Sequence, residues 1–282
     1  MKKIIAMLLA VCMTFCACAL ADEDAVDLSL IDVKERGTLR VGMECNYAPY
    51  NWTQAEPDAE GHAVAIAAGG YADGYDVRIA QIIADKLGME LEIVKTEWDG
   101  LTPALLSGNI DVIIAGMSPT AERKLTIDFT DAYYVTELTV VVRKDSAYAA
   151  ATSLADLSGA KITGQMSTFH YDMVDQIPGV KKMPAQDTFS TMIVAVSSGA
   201  MDGYIADIPG AVSATSANPD LTYLTFAEGQ GFTVDPESAE IAVGIRQGSE
   251  LKDQINAILA DISDEERNEI MVAAVAAQPL SE

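Results

Sequence analysis

Hydrophobic positions along the chain recur at two spacings, that of helices and that of strands. Apolar residues three and four apart predict amphipathic helices, and short alternating or continuous apolar runs predict strands. The predicted helices cover 74–87, 100–106, 169–177, 185–199, 250–262 and 264–277. The predicted strands cover 38–43, 90–95, 110–115, 139–143, 160–163, 201–206 and 240–245. This alternation predicts an α/β fold with mainly parallel strand pairing.

A helix–turn–strand unit occurs twice. The first repeat unit, residues 105–116, aligns without gaps with the second repeat unit, residues 196–207; each has Ser-Gly after the helix and Asp before the strand. We expect Asp99 to cap the helix that leads into the first unit. We also expect a further helix that begins near Pro119 and carries Arg123.

Ligands of open α/β sheets bind at the carboxyl ends of strands. Gly116, Ser118 and Arg123 follow the strand of the first unit, and Asp207 ends the second. A cationic and an anionic group that face each other across a cleft would suit a zwitterion. The alternative is that both units are ordinary helix–turn–strand scaffolding.

The run Trp98–Tyr134 carries the motifs Ser-Gly-Asn-Ile-Asp, Ile-Ile-Ala-Gly-Met-Ser, Glu-Arg-Lys and Ile-Asp-Phe-Thr-Asp-Ala-Tyr-Tyr. With them it closely resembles the amino-acid-binding family of bacterial extracellular solute-binding proteins, the receptors of ABC importers. The resemblance extends over essentially the whole mature chain. It implies a two-lobed periplasmic-binding-protein-like II (flytrap) fold, each lobe a mainly parallel sheet flanked by helices. We expect lobe 1 to comprise residues 22–136 and 237–282, and lobe 2 residues 137–236.

The resemblance also implies roles for the residues at the strand ends. Arg123 matches the arginine that holds the ligand's α-carboxylate, a task that suits a planar guanidinium. Gly116 and Ser118 match positions that contact the α-ammonium and the α-carboxylate. Thr168 matches the lobe 2 loop that completes the carboxylate pocket, and Asp207 the carboxylate that pairs with the α-ammonium. Without the resemblance, Arg123 reads as a solvated residue and both Thr168 and Asp207 as helix caps.

Three further residues are implied to surround the ligand's side chain. Tyr47 and Trp98 match two aromatics that sandwich it, although either could be plain core. Glu44 matches a position that is often acidic in members taking basic or amide amino acids; otherwise it reads as solvated. These residues predict a cationic or amide-bearing L-amino acid and exclude glutamate and aspartate. Ser167 stands where the family usually has glycine, which leaves the backbone of that loop open.

Residues 1–21 read as a secretory signal, because a charged start is followed by a short apolar core and the box Ala19-Leu20-Ala21. Their apolar core is too short for a transmembrane anchor. Lipid attachment at Cys18 is the alternative to plain cleavage. We therefore expect an exported protein, periplasmic or at the cell surface.

The chain has 282 residues, of which 50% are hydrophobic and 21% charged, and a formal net charge of −24. Removing residues 1–21 takes away Lys2 and Lys3 and no acid, which leaves −26. So acidic a surface argues against nucleic acid and anionic membranes as partners. Cys45 is the one cysteine of the mature chain, so no internal disulfide and no cysteine metal cage are expected.

The sequence offers no catalytic set, because it has no phosphate loop and no Gly-x-Ser-x-Gly elbow, and its two histidines, His62 and His170, read as surface residues. We expect a substrate-binding protein that captures an amino acid between two lobes and delivers it to the permease. A monomer without cofactor or metal is expected. The alternative is an enzyme on the same fold that resembles the cyclohexadienyl dehydratases.

Overall fold

A computed structural model of the protein describes residues 33–279. The predicted signal at 1–21, its alternative lipid site Cys18 and the acidic start of the mature chain lie outside these residues. Within the described range, none of the helices has the length and apolar character needed to cross a membrane.

The strands form two five-stranded sheets and one smaller antiparallel sheet. The first sheet has the order β6-β1-β7-β14-β8, from β1 (Thr38–Met43), β6 (Glu90–Lys95), β7 (Val112–Ile113), β8 (Asp128–Val135) and β14 (Glu240–Ile245). The second has the order β11-β10-β12-β9-β13, from β9 (Leu138–Arg143), β10 (Lys161–Thr163), β11 (Lys181–Lys182), β12 (Gly203–Asp207) and β13 (Leu221–Tyr223). The small sheet joins β2 (Asn46–Tyr47), β3 (Asn51–Gln54), β4 (Val64–Ala65) and β5 (Tyr71–Asp73).

Strand pairing is mixed in both large sheets, which corrects the prediction of mainly parallel pairing. Strand β1 runs parallel to β6 and β7, and β10 runs parallel to β11 and β12. By contrast, β14 runs against β7 and β8, and β9 runs against β12 and β13. The chain enters the second sheet at β9 and returns to the first at β14. In each sheet, the strand that arrives from the other one is thus antiparallel to both neighbours.

Within residues 33–279 the chain forms eight α-helices. They are α1 (Tyr75–Leu87), α2 (Leu101–Leu106), α3 (Phe169–Met173), α4 (Phe189–Ser197), α5 (Ile208–Ala217), α6 (Pro236–Ala239), α7 (Leu251–Ala260) and α8 (Asp264–Ala277). Gly88 ends α1 in the left-handed conformation, φ 70°, which glycine adopts without steric cost. Ser263 caps α8 by accepting the backbone N–H of Glu266 at 3.2 Å. We call the first sheet with its helices lobe 1 and the second lobe 2.

Two local predictions for the segments on either side of the first repeat unit are wrong. Asp99 lies inside the 3₁₀ turn Trp98–Gly100, and in the described chain no side chain caps α2, which starts from Gly100. No helix begins at Pro119: residues 117–120 have no regular secondary structure, and Arg123 opens a single 3₁₀ turn, Arg123–Leu125. Thr120 donates its backbone N–H to the carbonyl of Ser118 at 2.9 Å, so the chain leaves the strand through a tight turn.

The core is continuous across the lobe junction. One buried apolar cluster includes α1, β1 and β7 of lobe 1 and extends to Phe189 and Met192 on α4 of lobe 2. At the other end of the chain, Gln278 follows α8 and contacts Ser213 on α5: the amide Nε2 of Gln278 donates to the Ser213 carbonyl at 3.2 Å, and the Ser213 hydroxyl donates back. The C-terminal segment of lobe 1 is therefore bonded to lobe 2.

Candidate functional site

The carboxyl ends of the central strands of both sheets meet at the junction between the lobes. Glu44 follows β1 and Gly116 follows β7 in lobe 1, while Gln165 follows β10 and Asp207 ends β12 in lobe 2. These are the positions at which α/β sheets bind ligands. Three of the four are predicted site residues, and Gln165 is not among them.

Glu44 is a buried carboxylate with one oxygen unpaired. Its side chain is 4% exposed; Oε2 accepts from Nε2 of Gln165 at 3.3 Å, and Oε1 has no partner within residues 33–279. The pKa of Glu44 is raised to about 7, chiefly by burial and in smaller part by the charges of Glu97 and Asp99, while the hydrogen bond from Gln165 and the charge of Lys95 oppose the rise. The side chain is not solvated, and its surroundings favour an added positive charge.

Lys95 is a neighbour that the sequence interpretation overlooked. It is the last residue of β6, beside β1, and its ammonium donates to Oγ1 of Thr53 at 3.0 Å. The strand register places it opposite Met43, next to Glu44. Strand order, which a single sequence does not reveal, creates this proximity.

Asp207 is buried at the end of β12, opposite lobe 1. Its Oδ1 accepts from the hydroxyl of Tyr47 at 2.5 Å, across the junction. Burial raises the pKa of Asp207 to about 6, and the bond from Tyr47 opposes that rise. Although Asp207 occupies the N-cap position of α5, its carboxylate makes no capping bond in the described chain. The backbone N–H of Gly210, in the first turn of α5, also lowers its pKa, so the carboxylate lies beside the helix start as well as beside Tyr47.

The two aromatics predicted to sandwich a ligand have different ring neighbours. Tyr47 stacks on Phe189 of lobe 2, with centroids 4.0 Å apart and planes at 13°, and it is tilted against Tyr50 at 4.9 Å. Trp98 instead faces Arg123, whose guanidinium carbon lies 5.1 Å from the ring centroid. Phe189 was not predicted as a site residue, because in the sequence it is simply the first apolar residue of a helix.

Arg123 joins the lobes through two carbonyl oxygens. Its Nη1 donates to Ser118 at 2.9 Å and its Nη2 to Ser167 at 3.2 Å. Nε1 of Trp98 donates to the same Ser167 carbonyl at 3.4 Å. Burial lowers the pKa of Arg123 to about 10, so the side chain is still charged at neutral pH.

The loop at residues 165–168 has a left-handed backbone conformation at Ser167, although that residue is not glycine. Ser167 has φ 57°, a left-handed conformation that costs a non-glycine residue about 1–2 kcal/mol. That conformation turns its carbonyl toward Arg123. Thr168 is at the N-cap of α3, but its hydroxyl donates to the carbonyl of Gln165 at 2.8 Å and so fastens the loop rather than the helix.

Gly116 is fixed by a chain of buried hydrogen bonds. Its N–H donates to the hydroxyl of Tyr133 at 3.2 Å, and that hydroxyl donates to Asp76 at 2.7 Å. Gly116 has φ 62°, and a Cβ there would lie 3.1 Å from the ring of Tyr47, so the position requires glycine. Asn51 donates to the same Asp76 at 2.8 Å. Asp76 is thus structural and fully buried, with a pKa that burial raises to about 7.

His170 is buried, against the prediction that it lies on a helix surface. It is the second residue of α3, and α3 packs on β12, so this side of the helix faces the interior of lobe 2. The other histidine, His62, is exposed in the loop between β3 and β4, with its Nε2 3.4 Å from a carboxylate oxygen of Glu60. Asp58, Glu60 and His62 are the one group of the described residues whose ligand atoms lie within 4.8 Å of each other. Asp58 already accepts the backbone N–H groups of His62 and Ala63.

The two lobes are closed on each other. Five hydrogen bonds cross the junction near the candidate site: Tyr47–Asp207, Gln165–Glu44, Trp98–Ser167, Arg123–Ser167 and Ser190–Asn46. All the predicted site residues lie at or beside this junction. The geometry defines a two-lobed binding protein with buried, oppositely charged groups where the lobes meet.

The chain belongs to the bacterial extracellular solute-binding proteins, family 3, whose family model matches residues 39–272. The arginine-binding extracellular protein ArtP of Bacillus subtilis is 28% identical over 269 residues, covering 94% of each chain. A Streptococcus pneumoniae amino acid ABC transporter substrate-binding protein, solved bound to L-arginine, superposes with a TM-score of 0.76 at 26% identity, over 88% of this chain and 98% of its own. The ancestral amino acid-binding protein AncCDT-1, a precursor of cyclohexadienyl dehydratase, gives 0.71 at 28% identity, over 88% and 99%. The predicted two-lobed α/β fold and the class of substrate-binding protein are confirmed.

Proposed function

We propose that this solute-binding protein captures a free L-amino acid with a cationic side chain between its lobes and delivers it to the permease of an ABC importer. The observation that carries the proposal is the unpaired oxygen of Glu44. An isolated buried carboxylate is strongly unfavourable, and a cation in contact with it removes that cost. A ligand ammonium or guanidinium would provide the partner that the described chain leaves out.

The backbone ends of the ligand would meet Arg123 and Asp207. A guanidinium has five N–H donors, and Arg123 uses two of them on carbonyls, so others remain for an α-carboxylate. Asp207 would exchange its bond from Tyr47 for one from the α-ammonium. Gly116, Ser118 and Thr168 would complete the contacts with the α-groups from the adjoining loops.

Closure around the ligand follows from the position of these groups on both lobes. A ligand that touches both lobes stabilises the closed state by its differential affinity for it. The five bonds that cross the junction support a stable closed arrangement. Tyr47 and Trp98 would flank the ligand only if Phe189 moves from the face of Tyr47.

The ligand order that we propose is arginine, lysine or ornithine first and glutamine second. ArtP is an arginine-binding protein and the Streptococcus protein was solved bound to L-arginine, which agrees with a cation at Glu44. The positive charge of Lys95 partly opposes a cation near Glu44. Glu97 and Asp99 together raise the pKa of Glu44 more than Lys95 lowers it. Glutamate and aspartate would bring a second negative charge to this acidic end and should be excluded.

An enzyme of the dehydratase type is the second candidate, and the kinship with AncCDT-1 is what favours it. The pairing of Arg123 with Asp207 suits a zwitterion better than a prephenate-like ring. We propose a non-enzymatic, monomeric receptor that is exported, with the free amino acid and the permease as partners and no nucleic acid. Incubation with prephenate or arogenate tests the alternative, since formation of an aromatic product would favour the enzyme.

A thermal-shift screen against the twenty amino acids tests the proposal, because a ligand at 100 times its dissociation constant adds about 2.7 kcal/mol to stability. Arginine or lysine should give the largest shift. Calorimetry on Glu44→Gln should then show a cationic ligand weakened far more than glutamine, with the exposed Glu60→Gln as matched control. Tight binding of glutamate, or of small apolar amino acids alone, would contradict the assignment of Glu44.

A further inference from the structure

Two aromatic rings pack on the ring of Tyr47, one from each lobe. Phe189 of lobe 2 stacks on it, with centroids 4.0 Å apart and planes at 13°. Tyr50 of lobe 1 lies against it at 4.9 Å and is tilted by 34°. The edge of the ring is also enclosed, because a Cβ on Gly116 or on Gly210 would lie 3.1 Å or 3.2 Å from it. A ligand side chain can therefore lie on Tyr47 only where one of the two packed rings has left.

Phe189 is the neighbour of Tyr47 whose ring is free to move. Tyr50 is fully buried within lobe 1, where its ring meets Tyr75 and Tyr134 edge to face at 6.3 Å and 6.2 Å. Phe189, by contrast, is the first residue of α4. A side chain at that position has no preceding helical turn to restrict its χ1 angle. Its ring can therefore change rotamer while the helix keeps its place.

The backbone around Phe189 is held firmly. Oγ1 of Thr188 accepts the backbone N–H of Thr191 at 3.2 Å, and Oγ1 of Thr191 accepts that of Thr188 at 3.3 Å, which forms a capping box. The hydroxyl of Ser190 donates to Oδ1 of Asn46 at 2.8 Å and so ties the same turn to lobe 1. Access to Tyr47 in the closed protein thus calls for rotation of one side chain rather than movement of α4.

A cavity beside Phe189 has room for the ring. The cavity has a volume of about 370 Å³ and lies between the lobes; Phe189 lines it together with Ile193, one turn further along α4, and with Tyr204 and Trp52. Tyr204 already meets Phe189 edge to face at 6.2 Å. An apolar cavity of about 150 Å³ is enough to hold benzene in a protein. The space is therefore sufficient for a phenyl ring next to other apolar side chains.

We infer that Phe189 is a gating residue of the ligand site: its ring takes the ligand's place on Tyr47 while the closed site is empty, and turns into the cavity when an amino acid binds. This inference rests on the proposed function, in which Tyr47 flanks the ligand's side chain. Ring and ligand compete for the same face of Tyr47. Such competition lowers the apparent affinity in proportion to the fraction of the protein whose site is free.

Calorimetry with L-arginine on Phe189→Leu tests the gate. Leucine keeps most of the buried apolar volume and removes the stacked ring. The variant should bind L-arginine roughly 2- to 10-fold more tightly than the wild type, because the ligand no longer displaces an aromatic pair. Met192→Ala is the matched control, since Met192 is likewise buried on α4. It should lower the unfolding temperature and leave the affinity unchanged.

Two calorimetric results would overturn the inference. Unchanged or weaker binding in Phe189→Leu would show that the ring does not compete with the ligand. An equal gain of affinity in Met192→Ala would show that a loosened helix, and not the loss of the ring, is responsible.

A crystal structure of the wild-type protein with L-arginine tests the gate without a substitution, and it decides the matter if Phe189→Leu does not fold. The ligand should lie on Tyr47, and the phenyl ring should lie in the cavity beside Ile193, with the 4.0 Å stack broken. L-Arginine bound at the junction while Phe189 still stacks on Tyr47 would overturn the inference.

The outcomes separate this inference from the proposed function. Wild-type protein that binds none of arginine, lysine and glutamine would overturn the proposed function, and the gate with it. Wild-type protein that binds L-arginine with the stack intact, or as tightly as Phe189→Leu does, would overturn the gate alone.

Discussion

The two repeat units build the same scaffold in the two lobes. In the first, Asp111 accepts the backbone N–H of Arg40 on β1 at 2.9 Å; in the second, Asp202 accepts that of Lys161 on β10 at 2.8 Å. The backbone N–H of each aspartate also donates to the carbonyl of the same partner, at 2.8 Å and 2.9 Å. The repeated Asp therefore ties its strand to the neighbouring strand in each lobe.

The ends of the two helices are held alike as well. Nη1 of Arg246, which follows β14, donates to the carbonyl of Leu105 at 3.0 Å. Nη1 of Arg143, at the end of β9, donates to Val196 at 3.0 Å. Leu105 and Val196 are the first residues of the two units, so the match extends from one end of the repeat almost to the other.

The units part at their last residue. The first ends in Gly116, whose backbone packs on Tyr47, and continues as a loop to Arg123; the second ends in the buried Asp207 and continues directly into α5. The scaffolding interpretation of the repeat is thus right for its body. The candidate chemistry lies where the copies differ, which is a better guide to a site than the repeat itself.

The largest expected effect is on ligand affinity, and it distinguishes substitutions at or beyond the ends of the repeat units from a substitution in the body of one. Asp207→Ala and Arg123→Ala should each weaken amino acid binding by about 2–5 kcal/mol, because a desolvated charge on the ligand loses its partner. Asp202→Ala, in the body of the same unit, should reduce stability and leave affinity within experimental error. Calorimetry on the three variants decides, and an unchanged affinity in Asp207→Ala would remove that residue from the site.

A pH series compares the buried acids of the two lobes. The pKa of Glu44 is raised from 4.5 to about 7 and that of Asp207 from 3.8 to about 6. A raised pKa means that the folded state holds more protons, so this stability is present at pH 4 and is lost as pH rises through 6–7. Glu44 alone should contribute a loss of roughly 2–3 kcal/mol between pH 5 and pH 8, at about 1.4 kcal/mol per pKa unit, and Asp207 and the buried Asp76 should add to it.

Denaturant unfolding across this range checks the series; Glu44→Gln should lose less stability than the wild type by the contribution of Glu44, while Asp207 and Asp76 still titrate. A cationic ligand favours the ionised carboxylate, so its affinity should instead rise from pH 5 to pH 8. Affinity that falls with rising pH would contradict a cation at Glu44.

The scaffold aspartates should differ in strength, although their backbone bonds match. Asp111 is buried and also pairs with Arg40 at 3.0 Å and with Arg36, whereas Asp202 is half-buried. Both arginines are partly exposed, which weakens their contribution. Asp111→Asn should cost about 1–3 kcal/mol of unfolding free energy and Asp202→Asn about 1 kcal/mol. Equal losses in chemical denaturation would show that the ion pairs add nothing.

The smallest effect concerns backbone strain in the loops after β1 and β10. Ser167 has φ 57° and Cys45 has φ 55°. Ser167→Gly should stabilise the protein by up to about 1 kcal/mol, because glycine adopts this conformation without strain. The greater entropy of the unfolded chain with glycine offsets part of this gain. Cys45→Gly should destabilise it, since Cys45 is buried and its removal leaves a void. Thermal unfolding of both variants measures the contrast.

Sequence patterns predicted the long elements well and the contacts between lobes poorly. The bounds of β1, β6, β14 and α8 agree with the prediction, because local hydrophobic periodicity determines them. Phe189 on Tyr47 and Gln165 on Glu44 are pairs far apart in sequence and have no local signature. His170 was misjudged for the same reason: a single polar residue in a short helix does not reveal which face is covered.

The bond between Gln278 and Ser213 has a mechanical consequence. It joins the C-terminal end of lobe 1 to α5 of lobe 2, and both residues are buried. Two lobes joined at one point cannot move apart in a straight line without breaking the bond, but they can still rotate about that point. If the bond survives opening, the relative motion of the lobes becomes a rotation with a fixed pivot, and the width of the entrance is then set by an angle.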